Sequence, residues 1–250
     1  PVVDTHCHLD SCKPANAELV ANARALGVTK IATVGMDPAT NPLALAAATE
    51  FDGVSAIVGR HPNAAEGWQA TDIEEIERAA AGPGVVAVGE TGLDYYRDRA
   101  PRADQIAAFE AQLDLARRLD LPVVIHTRAA EDDTFAVLAE HADGLTVILH
   151  CFSAPDRLDE AVERGYVCSF AGNVTYESAA DLQDAARRVP DELLMVETDA
   201  PYLTPVPMRG EPNEPANVTH TAEFVAELRG VGYGELERVV EATAARVLGW

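Results

Sequence analysis

Eight short runs rich in β-branched residues, each followed by a stretch with helical spacing of apolar residues, constrain this 250-residue chain more than any other feature. The runs begin near Val2, Lys30, Val54, Val85, Pro122, Leu145, Tyr166 and Leu193. Helices are predicted over Ala15–Leu26, Pro42–Phe51, Asp72–Ala81, Arg102–Leu119 and Ser178–Val189, and Val218–Leu228 and Glu235–Leu248 close the chain. Within Arg102–Leu119, Ile106, Phe109, Leu113 and Ala116 keep the three-to-four spacing of a buried helix face. Strands that alternate with helices predict a parallel sheet, and eight is the number at which such a sheet closes on itself. The expected fold is α/β, a (β/α)8 TIM barrel forming one domain over residues 1–250. An open doubly wound sheet is the rival. Against it, no G-x-G-x-x-G follows the first strand, and polar residues are scattered over many strand ends rather than gathered at one crevice. The proline-rich stretch Pro201–Pro215 is expected to be a loop over the barrel mouth.

Barrel enzymes carry their chemistry at the C-terminal ends of the strands, and the histidines are distributed accordingly. Of 7 histidines, His6 and His8 end the first run, His61 the third, His126 the fifth and His150 the sixth. His141 and His220 fall in helical stretches and receive no role. Glu90 and Asp199 share the strand-end placement. His-x-His on a strand puts both rings on one side, a compact bite for a metal. Taken singly, each signal has a bland reading: an incidental His-x-His, a Glu90 paired with Arg128, a core histidine at His150. Jointly, four imidazoles (His6, His8, His126, His150) and two carboxylates (Glu90, Asp199) are too many for one tetrahedral site and suit a bridged pair of ions. Strand parity puts Glu197 inward, one layer below Asp199, where a carboxylate needs a partner and would orient a ligand histidine or an arginine.

Composition bounds the partners. With 41 acidic and 19 basic residues the net charge is −22, which repels polyanions at long range and argues against a broad basic nucleic-acid groove. Either a high-salt habitat, where screening shortens the repulsion, or a biased genome accounts for it. No run of apolar residues is long enough to span a membrane, and the chain starts directly on a strand-like run, so a cytoplasmic protein is expected. Cys7, Cys12, Cys151 and Cys168 form no C-x-x-C pair and are read as reduced thiols. Cys7 and Cys151 adjoin proposed ligands, but strand alternation is expected to aim them away from the metals.

The motifs Asp4-Thr5-His6-Cys7-His8-Leu9, Gly59-Arg60-His61-Pro62, Gly89-Glu90-Thr91-Gly92-Leu93-Asp94, Leu121 to Arg128, His150-Cys151-Phe152-Ser153, Glu197 to Leu203, and Arg209-Gly210 with Asn213-Glu214-Pro215 together resemble the TatD family of metal-dependent deoxyribonucleases, within the amidohydrolase-like barrels. The resemblance runs the length of the chain. It implies that His6 and His8 hold one ion, His126 and His150 the other, and that Glu90 bridges them. Asp199 would bind the first ion or act as general base, His61 would sit near the leaving group or a phosphate oxygen, and Arg128 and Arg209 would contact phosphate. It further implies a deoxyribonuclease that cleaves DNA phosphodiester bonds with a water activated by two metals, acting on DNA ends or short oligonucleotides. Three positions depart from the family pattern. Glu211 and Pro212 stand where members often carry basic residues, Asn63 where many have histidine, and Ala154 where glycine is common. The first removes positive charge from the mouth loop. A two-metal hydrolase of a carboxylic ester or amide, such as an aminoacyl ester, is the alternative enzyme, and a metal-stabilised binding protein is the alternative of another class. Imidazole-rich ligation suits zinc, manganese or cobalt, whereas the resemblance implies magnesium or manganese. Two divalent ions of either kind are expected.

Overall fold

A computed structural model covers residues 1–250. Eight strands, β1 (Val2–Cys7), β2 (Val28–Val34), β3 (Val54–Val58), β4 (Val85–Asp94), β5 (Val123–Arg128), β6 (Val147–Leu149), β7 (Val167–Phe170) and β8 (Leu194–Val196), lie in sequence order in one sheet. Every adjacent pair from β1 to β8 is parallel. Valine and isoleucine dominate these strands because both faces are covered, the inner by the barrel interior and the outer by helices. The helices are α1 (Asn16–Ala25), α2 (Asn41–Glu50), α3 (Ile73–Ala80), α4 (Arg102–Leu119), α5 (Glu131–His141), α6 (Leu158–Glu163), α7 (Ala180–Arg188), α8 (Val218–Arg229) and α9 (Tyr233–Leu248). One core of 64 buried residues runs through the molecule. No helix is long and apolar enough to cross a membrane.

The seam between β8 and β1 is not a strand ladder. It closes at the C-terminal face, where the Asp199 N–H donates to His6 O (2.9 Å) and the His8 N–H to Ala200 O (2.7 Å). Below these, the buried Asp4 carboxylate accepts from the Thr198 N–H (2.8 Å) and hydroxyl (2.6 Å), and the Thr5 hydroxyl donates to Val196 O (2.9 Å). The contacts that shut the barrel therefore also set the metal-ligand candidates on its first and last strands against each other.

Helix α4 differs from its predicted face. Phe109, Leu113 and Ala116 are buried, but Ile106 is only half-buried, and Gln105 and Gln112 are fully covered. Their amides satisfy backbone groups at the mouth. Gln105 accepts from the Asp94 N–H (2.9 Å), while Gln112 accepts from the Arg60 N–H (2.8 Å) and donates to Arg60 O (3.1 Å) and the Thr91 hydroxyl (2.7 Å). Buried backbone groups at strand ends need partners, and two glutamines seven residues apart supply them from one helix face.

Candidate metal centre

The β4 backbone decides where Glu90 points. Register with β5 runs from Val88↔Val123 to Thr91↔Ile125, so one residue is gained on β4 across Gly89 and Glu90. Gly89 (φ 145°) and Gly92 (φ 140°) occupy backbone regions closed to other L residues, and a Cβ on Gly92 would lie 1.9 Å from His126 O. This bulge turns the Glu90 side chain, 2% exposed, into the barrel mouth. Asp199 itself has φ 53°, a left-handed conformation uncommon outside glycine and held here by its bond to His6 O.

The two Glu90 oxygens face different histidines. Oε2 lies 3.3 Å from His6 Nε2 and 3.7 Å from His8 Nε2, whereas Oε1 lies 2.7 Å from His126 Nδ1 and 3.0 Å from His150 Nε2. Asp199 Oδ1 is 3.3 Å from His8 Nε2 and 3.7 Å from His6 Nε2. Two ligands of a single ion at about 2.1 Å lie roughly 3.0–3.4 Å apart, which is close to most of these separations. Both nitrogens of the buried His6 lack any hydrogen-bond partner, a costly arrangement unless a cation takes the lone pair. Donor atoms of His6, His8 and Asp199 form one compact group, and those of His6, Glu90 and His150 another. The donor set thus fits the divalent ions that the sequence implied.

What stands behind each ring decides what its front nitrogen offers. His150 Nδ1 faces Glu197 Oε1 (2.9 Å), His126 Nε2 faces Asp94 Oδ2 (3.1 Å) and His8 Nδ1 faces Val34 O (3.3 Å). An acceptor behind a neutral ring draws the proton there and leaves a lone pair in front. His61 is reversed: its Nδ1 accepts the Asn63 N–H (3.0 Å), so the neutral ring carries its proton on Nε2, 3.5 Å from Glu90 Oε1. Burial, and then the neighbouring His126, push the His61 pKa down to about 3, which keeps it neutral. His61 therefore presents an N–H donor to the mouth rather than a metal ligand, although it clusters with Glu90 and His126.

Glu197, fully buried, also accepts the Cys151 N–H (2.9 Å). Asp94 stands behind His126 as Glu197 stands behind His150; burial pushes its carboxyl up, but the bonds from His126, the Arg97 N–H and Asn63 outweigh this and hold it below its usual range. Asn63 Nδ2 donates to Asp94 Oδ2 (3.0 Å), so the residue that replaces the family's frequent histidine braces the carboxylate behind His126. Asp94 received no role from the sequence, although it closes the Gly89–Asp94 motif; only the fold reveals that it stands behind His126. Asp94→Asn is expected to weaken the affinity of the His126 and His150 pair for a divalent ion by about 10–100-fold. Isothermal titration with zinc or manganese checks this, and unchanged affinity in a folded variant would remove Asp94 from the site.

The mouth is a cavity of about 790 Å³ that includes His8, His61, Glu90, His126, His150 and Asp199 in its lining. Arg128 lines it too, its guanidinium 4.0 Å over the Tyr96 ring. Arg97 and Arg99, not singled out in the sequence, stand on the same wall, although an Arg-x-Arg just after Asp94 in so acidic a chain was a visible signal. Arg209 is not in this lining; it sits over Tyr176 beside a neighbouring cavity. Tyr202 and Leu203 of the proline-rich segment wall the mouth, and Asn213 pins that segment by donating to Thr198 O (3.0 Å). Cys7 is buried with its thiol toward Ala32 O (3.5 Å), away from the mouth. Cys151 is not turned away as expected. β6 ends at Leu149, strand alternation stops there, and Cys151 (φ 42°) lies on the cavity wall.

Residues 3–249 match the family described as TatD related DNase. A Mycobacterium tuberculosis protein named uncharacterized metal-dependent hydrolase TatD is 40% identical over 263 residues, covering 100% of this chain and 99% of its own length. A Klebsiella pneumoniae protein named 3'-5' ssDNA/RNA exonuclease TatD is 34% identical over 239 residues, with 93% of this chain and 91% of its own length covered. Among solved structures, YJJV, a TatD homologue from Escherichia coli, superposes with a TM-score of 0.92 at 29% identity, covering 100% of this chain and 98% of that one. With the family match spanning nearly every residue and relatives aligned end to end, this chain belongs to the TatD related DNase family.

Proposed function

We propose that the protein is a two-metal phosphodiesterase that acts on DNA ends or short oligonucleotides. The observation that carries this is Glu90, whose two oxygens address separate histidine pairs and so suit a ligand shared between two ions. In this reading His6, His8 and Asp199 would hold one ion, His126 and His150 the other, and Glu90 would serve both. Nitrogen-rich ligation favours manganese or zinc over magnesium. Bound there, the ions would supply Lewis acidity and lower the pKa of water toward neutrality.

The chain's own groups divide the remaining work. Asp199 turns Oδ1 toward the His6 and His8 nitrogens and has Oδ2 free of protein hydrogen bonds, so Oδ2 could take the proton of an attacking water. The His61 Nε2–H donates to a phosphate oxygen or to the leaving oxygen, and its partner Asn63 N–H keeps that tautomer in place. Arg97, Arg99 and Arg128 put positive charge on one wall of the mouth, which offsets locally the acidity of the whole molecule. Four thiols without a disulfide suit a reducing compartment, in keeping with the cytoplasm. Relatives named as single-strand exonucleases support a nucleic-acid substrate.

The test uses protein stripped of metal and then given manganese, magnesium or zinc, with a short 3′-labelled single-stranded DNA. Shortening of the strand only after metal addition is expected. A folded, metal-loaded protein that leaves the strand intact while hydrolysing an aminoacyl ester or amide would replace this reading with the carbonyl one.

A further inference from the structure

A second cavity opens on the same face as the metal mouth. It measures about 440 Å³ and is lined by Tyr176, Glu177, Ser178, Val206 and Arg209. The two cavities share a wall made of two segments. Asn173 and Leu203 line the mouth, and Tyr176 and Val206, three residues further along each segment, line the second cavity. Three residues reach at most about 11 Å, so one short strand can occupy both. The wall is preformed: the Tyr176 hydroxyl donates to Thr204 O (3.0 Å) and the Val206 N–H to the Thr175 hydroxyl (2.9 Å). Gly172 lies so close to Leu203 O that a Cβ would sit 2.1 Å from it.

Charge pairing marks the face that carries both cavities. In a chain with 41 acidic residues, most arginines are paired, as Arg118 is with Glu77, Arg188 with Asp159 and Arg229 with Asp191. Arg209 has neither a carboxylate nor a hydrogen-bond partner, and the rim carboxylate Glu177 makes no ion pair with it. Its exposed guanidinium lies 4.1 Å over the Tyr176 ring, and Val206 beside it is 48% exposed. The mouth arginines Arg97, Arg99 and Arg128 are equally unpaired; away from this face only the Arg187 side chain is. A flat cation braced on an aromatic ring, next to an apolar edge, is the chemistry that stacks a nucleobase and holds an adjacent phosphate.

We infer that the Tyr176–Arg209 cavity is a subsite for a nucleotide flanking the one at the metals, its base stacked on the Arg209 guanidinium and against Val206. The inference rests on the phosphodiesterase reading and commits the substrate to a single strand several nucleotides long, since bases within a duplex have no free face. Glu177 on the cavity rim would repel a phosphate placed beside it, which leaves the phosphate to the guanidinium.

The experiment measures binding of fluorescent single-stranded DNA, a dinucleotide and a hexanucleotide, to metal-free protein, which cuts neither, and then cleavage of both after manganese addition. Wild-type protein is expected to bind the hexanucleotide at least about tenfold more tightly than the dinucleotide, as one stacked base allows. Tyr176→Ala, Arg209→Ala and Arg209→Lys should each remove most of that gain, the last because lysine keeps the charge and loses the plane. Arg187→Ala, on a remote surface, should keep it. Equal binding of the two lengths, or a gain that survives in Arg209→Ala or Arg209→Lys, overturns the subsite. Length-dependent binding that the variants lose, in a protein that cuts no strand with metal, supports the subsite and overturns the phosphodiesterase reading instead.

Discussion

Glu90→Ala is expected to lower turnover by a factor on the order of 10³ or more and to cost the protein bound metal, while the barrel stays folded. Metal ions contribute several kcal/mol to transition states of this kind, and about 4 kcal/mol corresponds to that factor. The size of the effect follows from the position of the carboxylate. Its two oxygens stand within 3.7 Å of nitrogens on five histidines, His6, His8, His61, His126 and His150, and alanine would withdraw an anionic ligand from both halves of the centre at once. The fold is expected to survive because β4 is held by its ladders to β3 and β5 and by Gln112 on Thr91, none of which involves the Glu90 side chain. Metal content by elemental analysis, turnover on single-stranded DNA and a circular dichroism melt check the three parts. A variant that keeps two ions per chain and more than a tenth of wild-type turnover would end the bridging assignment.

Gly92→Ala should damage the fold itself, by more than about 4 kcal/mol, lowering the melting temperature by on the order of 10 °C. Two causes act together. The glycine has φ 140°, and its added Cβ would meet the His126 carbonyl at 1.9 Å. That oxygen belongs to the backbone of the neighbouring strand, so no side-chain rotation relieves the overlap. Gly144→Ala is the matched control: its φ of 76° is also unfavourable, but nothing lies within 4 Å of the new atom, so a cost of about 1 kcal/mol is expected. Equal melting temperatures for the two variants would mean that β4 and β5 need not approach so closely.

Much of this molecule was written locally. The eight strands start within two residues of the β-branched runs that announced them, because burial on both faces demands such runs wherever a parallel strand lies. The fold class followed from their number and alternation, and the ligand candidates followed from histidines at strand ends, since the barrel gathers those ends to one face. Local spacing failed at three kinds of place. It put Ile106 on the buried face of α4, where Gln105 and Gln112 are buried instead because strand-end backbone groups had to be satisfied. It sent Cys151 away from the mouth by an alternation that had already stopped at Leu149. It left Asp94 without a role, because the His126 ring that Asp94 supports lies 32 residues away.

The division has one physical cause. Residue types, their periodicity and their strand-end positions are properties of short segments, and they determined the barrel and the list of chemically able side chains. Which nitrogen of each imidazole faces the mouth depends on the group behind it, and those groups come from other parts of the chain: Glu197 behind His150, 47 residues away, Asp94 behind His126, 32 away, and Val34 behind His8, 26 away. His61 is the one mouth ring with a donor behind it, the N–H of Asn63 two residues on. Only the closed barrel brings such partners together, and so only the tertiary structure decided which imidazoles turn a lone pair toward the mouth and which one turns an N–H there.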